Sequence, residues 1–150
     1  MNMKAEEVVF KSEYWTIKHR SDSRYPGYLI ALSNEPVLNI NELSREALAD
    51  MSVILARTEK LLIAAYAPYK VIIFKMGFAK GINCHFNFIP VMQTLLDEIE
   101  GQKSCTHEKP DGSDATLYVC RKYCERELSP AEYQELVLRV EMLKQYLPKI

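Results

Sequence analysis

Apolar positions along this chain change their period several times, and each change marks an element. VVFKS (8–12) and YWTIKH (14–19) are rich in β-branched and aromatic residues and are separated by little more than a turn, which predicts two strands. The polar stretch SDSRYPG (21–27) reads as a turn, and GYLIALS (27–33), apolar on both faces, as a central strand. Beyond Ser44 the period lengthens to that of a helix. Leu48, Met51, Leu55, Leu62 and Ala65 follow one stripe, with Ser44 placed to cap it and Glu46 in its first turn. This helix should end near Ala65, before Pro68.

KVIIFKM (70–76) returns to strand composition, GFAKG (77–81) is a tight loop, and NCHFNFIP (83–90) is the next strand. So short a connection predicts antiparallel neighbours. Successive side chains of a strand point to opposite faces. Cys84, Phe86 and Phe88 are therefore expected in the core, and Asn83, His85 and Asn87 in a row on the other face. VMQTLLDEIEG (91–101) suits a short helix with Met92, Leu95, Leu96 and Ile99 on one side. CTHEKPDGSD (105–114) is a loop by composition, and TLYVCRKYC (116–124) has strand propensity, with a helix as the alternative. SPAE (129–132) combines a serine cap, proline at the first helical position and glutamate three residues after the serine, the signature of a closing helix. The sum is an α+β domain, an antiparallel sheet of about five strands with one long helix and a C-terminal helix packed on one face. A single domain over residues 1–150 is expected, its core at about 8–125 and the closing helix at about 129–147.

Composition narrows the partners. The chain is 48% hydrophobic and 26% charged, that of an ordinary soluble globular protein. With 19 basic and 20 acidic residues it has no broad basic field, which argues against nucleic acid as the main partner. MNMKAEEVVF lacks the basic flank and apolar run of a signal peptide, and no apolar stretch approaches the ~20 residues that cross a bilayer. The expected address is the cytoplasm, without membrane contact, where cysteines stay thiols.

The row on the 83–90 strand carries the candidate chemistry. A neutral histidine has a lone pair near neutral pH and can attack phosphorus, provided one ring nitrogen is free and the other holds its proton against a fixed acceptor. His85 suits that role. Asn83 and Asn87 lie two residues to either side and could donate to phosphate oxygens. Gly77 and Gly81 would let the hairpin backbone approach a ligand, and Lys75 and Lys80 would add positive charge. The same N-x-H-x-N spacing also describes the wet face of any half-buried strand, with solvated lysines and glycines that serve only the turn.

A resemblance tips the balance. YPGYLIALS, NINELSREAL, the long helix, GFAKGINCHFNFIPV and DGSDATLYVCRKYCE resemble the histidine-triad superfamily of nucleotide hydrolases and transferases, over roughly residues 8–125. More narrowly they resemble a bacterial branch whose motif runs Gly, three residues, His-Phe-His, a bulky apolar residue, Ile-Pro. On the superfamily motif of three alternating histidines, Asn83 takes the first position, His85 the second and Asn87 the third. The resemblance implies that His85 is the nucleophile on the α-phosphorus of a nucleoside phosphoramidate or dinucleoside polyphosphate, that a nucleotidyl-histidine forms, and that no metal or other cofactor is needed. It also implies a purine nucleotide partner and a homodimer. Asn87 departs from the pattern: the third histidine can carry charge, whereas an amide donates only a neutral hydrogen bond, and charged ones are roughly twice as strong. The departure leaves open a slower hydrolase, a nucleotidyltransferase or a nucleotide-binding module with weakened catalysis.

Two other groups carry side chains of chemical interest. Cys105, His107, Cys120 and Cys124 are of the right type for tetrahedral zinc, which would make a zinc-stabilised interaction domain. Their spacing fits the strong zinc patterns poorly, so thiols and an exposed loop histidine are expected and no metal is assigned. Lys18, His19, Arg20 and Arg24 form a small basic cluster that reads as a solvated turn outside the site.

Overall fold

The computed structural model describes residues 3–102 and 109–150. Its strands are β1 (Val8–Lys11), β2 (Trp15–His19), β3 (Leu29–Ser33), β4 (Lys70–Phe74) and β5 (His85–Val91), and its helices α1 (Arg45–Tyr66), α2 (Gln93–Glu100), α3 (Gly112–Lys122) and α4 (Pro130–Tyr146). The strands form one antiparallel sheet in the order β1-β2-β3-β5-β4. The doubly apolar strand β3 is central, as its composition predicts.

α1 and α4 cover one face. Trp15, Ile17, Leu29, Ala31 and Phe88 meet Leu61, Leu62 and Leu143 there, with Cys84 in the same cluster and Phe86 against its edge. The indole of Trp15, wholly buried, donates to the Ala47 carbonyl at 3.0 Å and ties β2 to the first turn of α1. Ser44 caps α1 by accepting from the Ala47 N–H, and Ser129 and Glu132 form the capping box of α4.

The expectation of helices on one face is incomplete. α2 and α3 cover the lower half of the second face, where Ile30, Ile89 and Val91 pack against Leu95, Ile99, Ala115 and Val119. α3 also resolves the ambiguity of residues 116–124 in favour of a helix. Asp111 and Asp114 form a capping box that starts the helix inside a stretch whose composition reads as loop. The connection between β4 and β5 is longer than a tight loop, running from 75 to 84. Cys84 is held instead by the 33–37 segment: its N–H donates to the Val37 carbonyl at 2.6 Å and its carbonyl accepts from Ser33 N–H at 2.8 Å.

Candidate functional site

Among the described residues no helix covers the upper half of the second face, between the β2–β3 turn and the β4–β5 hairpin. Cross-strand register fixes what stands there. Lys18 pairs with Ile30, Ile30 with Asn87, and Asn87 with Phe74, one row across four strands; Leu32 stands beside His85 in the next row. A cleft of about 540 Å³ lies over these rows, a size that suits a small-molecule ligand. Its hairpin side is apolar, with Phe74, Met76, Phe78 and Ile82, and its turn side is polar, with Arg20, Ser21 and Asp22.

His85 lines the cleft half-buried. Its Nδ1 lies 2.9 Å from the Asn83 carbonyl oxygen. A carbonyl only accepts, so in the neutral ring Nδ1 carries the proton and Nε2 the lone pair. Gly77 crosses that edge of the ring so closely that a Cβ there would come within 2.6 Å of Nε2. A larger residue at 77 would push this imidazole from its place.

Asn87 is buried at the cleft floor. The Tyr28 hydroxyl donates to its Oδ1 at 3.1 Å, which leaves the amide NH₂ as its remaining donor group. Tyr28 has no exposed surface, and burial pushes its phenol well above the ordinary range, so it keeps its proton. Its hydroxyl in turn accepts from Arg20 Nη1 at 3.0 Å, and the guanidinium carbon lies 5.0 Å from the ring centroid. Cys120 Sγ stands 3.8 Å from the same hydroxyl.

The other residues expected at the site are placed differently. Asn83 precedes β5, and its amide donates to the Ser33 carbonyl at 2.9 Å, so the row predicted by alternation is one member shorter in the cleft. Asn83 lines, with Lys75, Gly77 and His85, a side recess of about 120 Å³. Gly81 has φ 82° and open space where a side chain would be; it serves the turn. Lys80 is exposed at the hairpin tip.

The basic cluster is not a solvated turn. Lys18 and His19 are wholly buried, and Arg20 lines the cleft. Lys18 Nζ is paired with Glu7 at 2.8 Å, both side chains about 1% exposed, and Ser21 Oγ donates to the same carboxylate at 2.8 Å. Arg24 turns away to the Lys122 carbonyl. Of the four candidate zinc ligands, Cys105 and His107 lie outside the described residues. Cys120 borders the cleft and Cys124 is buried, with its thiol pushed up by that burial. Among the described residues no three candidate metal ligands gather.

Arg20 and Tyr28 are the members that sequence reasoning missed. Tyr28 shares a face with Ile30 and Leu32 by simple alternation, but only the non-local pairing of β3 with β5 brings that face to His85.

Neither a family model nor a curated protein sequence matches the chain. Solved structures do. A HIT-like protein from Bartonella henselae aligns at 12% identity and TM-score 0.59, over 92% of this chain and 84% of that one. A histidine triad nucleotide-binding protein from Sulfolobus tokodaii aligns at 14% and 0.60, over 96% and 87%. The diadenosine triphosphate hydrolase of Plasmodium falciparum aligns at 10% and 0.63, over 98% and 80%. Likeness at these identities is likeness of architecture, and by that measure the chain has the fold of the histidine-triad proteins.

Proposed function

We propose that this protein binds nucleotides in the cleft over His85 and Asn87 and hydrolyses a nucleoside phosphoramidate or a dinucleoside polyphosphate. The observation that carries the reading is the fixed orientation of His85, with Nδ1 held at 2.9 Å from a backbone carbonyl, which leaves the lone pair of the neutral ring on Nε2. Nε2 attacks the α-phosphorus, the bond from phosphorus to the leaving nitrogen or oxygen breaks, and the leaving group takes up a proton. Water then attacks the nucleotidyl-histidine, releases the nucleoside monophosphate and returns the electron pair to Nε2. The nucleotide-binding and diadenosine triphosphate hydrolase activities named for two proteins of the same fold support this substrate class. Lys75 and Lys80 add positive charge from the hairpin, Asn83 fixes the approach to His85 through the Ser33 carbonyl, Gly81 shapes the turn, and Asn87 donates to a non-bridging oxygen. The chain acts as a homodimer.

A second reading, a nucleotide-binding module with weakened turnover, is favoured by one feature: the neutral amide of Asn87 where a histidine could carry charge. Incubation with adenosine 5′-phosphoramidate and with diadenosine triphosphate, following AMP release, separates the two. Turnover that disappears in His85→Ala, with the melting temperature held, supports hydrolysis. Nucleotide binding without turnover, in both the parent and Asn87→His, would leave the binding module.

A further inference from the structure

The site holds a neutral amide where negative charge builds up on the oxygens of the attacked phosphate, yet a cation lies two hydrogen bonds away. We infer that Arg20 and Tyr28 are positioning residues that carry guanidinium charge to Asn87 and hold its NH₂ toward a phosphate beside His85. This rests on the reading of the cleft as a nucleotide site.

The chain of donors runs one way. Arg20 Nη1 has only protons to give, so at 3.0 Å the Tyr28 oxygen must accept. Its single proton then points onward to Asn87 Oδ1 at 3.1 Å, the nearer and stronger acceptor, with Cys120 Sγ at 3.8 Å. With Oδ1 occupied, the amide plane is fixed and its two N–H bonds are the groups left for a ligand. Each hydrogen bond in such a series polarises the next, the more so away from water, and Tyr28 is fully buried. A withdrawn carbonyl makes the NH₂ a stronger donor. His85 and Asn87 are two residues apart on one strand face, about 6.6 Å, so a phosphorus facing Nε2 can present a non-bridging oxygen to that amide.

The guanidinium is itself held in place. Asp22 accepts from Arg20 Nε at 2.5 Å and Nη2 at 3.2 Å, while the guanidinium sits over the Tyr28 ring. Nη1 is thereby left to the phenol. The side chain is buried enough for the charge to be felt and is fixed at both ends. Charge of this kind, aimed before the reaction at the point where negative charge builds up, acts on turnover more than on substrate affinity.

The test compares isotope-labelled parent protein with Tyr28→Phe, Arg20→Gln and the double variant. Tyr28→Phe keeps the ring under Arg20 and removes only the linking hydroxyl. The Asn87 side-chain amide protons, identified by their loss in Asn87→Ser, should shift in Tyr28→Phe. They should shift less and in the same direction in Arg20→Gln, and Arg20→Gln should add nothing when Tyr28 is already Phe. With adenosine 5′-phosphoramidate, kcat should fall about tenfold in each single variant and no further in the double, with KM within about twofold. An unmoved amide pair, or losses that multiply in the double variant, overturns the relay. If the parent releases no AMP, the catalytic reading fails and the relay is judged by AMP titration. Asn87 protons that respond to AMP in the parent and cease to respond in Tyr28→Phe support it; an equal response in both overturns it. Should Tyr28→Phe not fold, Arg20→Gln carries the same amide readout alone.

Discussion

His19 shows how differently two histidines of one sheet can be used. His85 keeps a lone pair toward the cleft, whereas His19 has no exposed surface and its Nε2 is buried without a hydrogen-bond partner. Nδ1 faces the Arg20 carbonyl at 3.0 Å and so holds the proton of the neutral ring. Burial pushes its pKa down to about 4; Arg139 and Lys18 push the same way, against the Arg20 carbonyl and Glu7. In the unfolded chain an imidazole titrates near 6.5. Between those values the unfolded chain binds a proton that the folded one refuses, so stability is whole above about 6.5 and falls as pH drops toward 4. The gap corresponds to roughly 3 kcal/mol. Urea unfolding at pH 7.5, 5.5 and 4 should follow that decline, and His19→Gln should flatten it. An equal decline in the variant would place the acid sensitivity in the carboxylates.

At the scale of elements, the N-terminal segment is joined to the sheet by charge rather than by apolar packing. Glu7 ends the short helical turn Ala5–Glu7, and Lys18 stands one residue before the end of β2. Their 2.8 Å contact is sealed from water, and Ser21 and Tyr133 add hydrogen bonds to the same carboxylate. Removing one partner leaves the other charge buried, which costs about 3–5 kcal/mol, while replacing both with apolar groups of similar size is often neutral. Lys18→Met should therefore unfold at much lower urea than the parent, and Glu7→Leu with Lys18→Met should recover most of the loss. If the double variant is as unstable as the single, the pair holds the fold by more than its own neutralisation. This pair also shows which parts of the chain were legible. β2 reads as a strand from Trp15, Thr16 and Ile17, and alternation sets Lys18 opposite the core. Nothing local says that a lysine on that face meets a carboxylate eleven residues away. The β5 alternation yielded Cys84, Phe88, His85 and Asn87 on their observed faces, because period two is a property of the strand itself. Asn83 escaped it because it lies two residues before β5 begins, where Cys84 pairs with the 33–37 segment and the Asn83 amide turns to the Ser33 carbonyl. α3 was ambiguous because Thr116, Val119 and Tyr118 favour strands, and its decisive signal was the Asp111–Asp114 cap.

At the scale of the molecule, the two edges of the sheet are not equivalent. β1 is four residues long, interrupted by an irregular register near Val8 and Phe10, and packed beneath α4. β4 is five residues long and regularly paired with β5, and among the described residues no strand pairs with its outer edge. Tyr69 just before it is 74% exposed, Ile73 within it 36%, and Ile63 in the adjoining end of α1 52%. Apolar side chains beside unpaired backbone groups are what another strand needs, and a monomer gains nothing by presenting them. No helix among the described residues is long and apolar enough to put them in a bilayer. A second copy set edge to edge would pair β4 with β4 antiparallel and bury these side chains in one two-fold interface. It would also leave each His85 on its own sheet face. Sedimentation equilibrium should accordingly return twice the mass of the chain at micromolar concentration. Ile73→Lys, which puts a charge on the shared edge and leaves the core untouched, should move that value toward the monomer. A parent protein that sediments as a monomer throughout would mean that the β4 edge is simply tolerated in solution and that the cleft works within one chain.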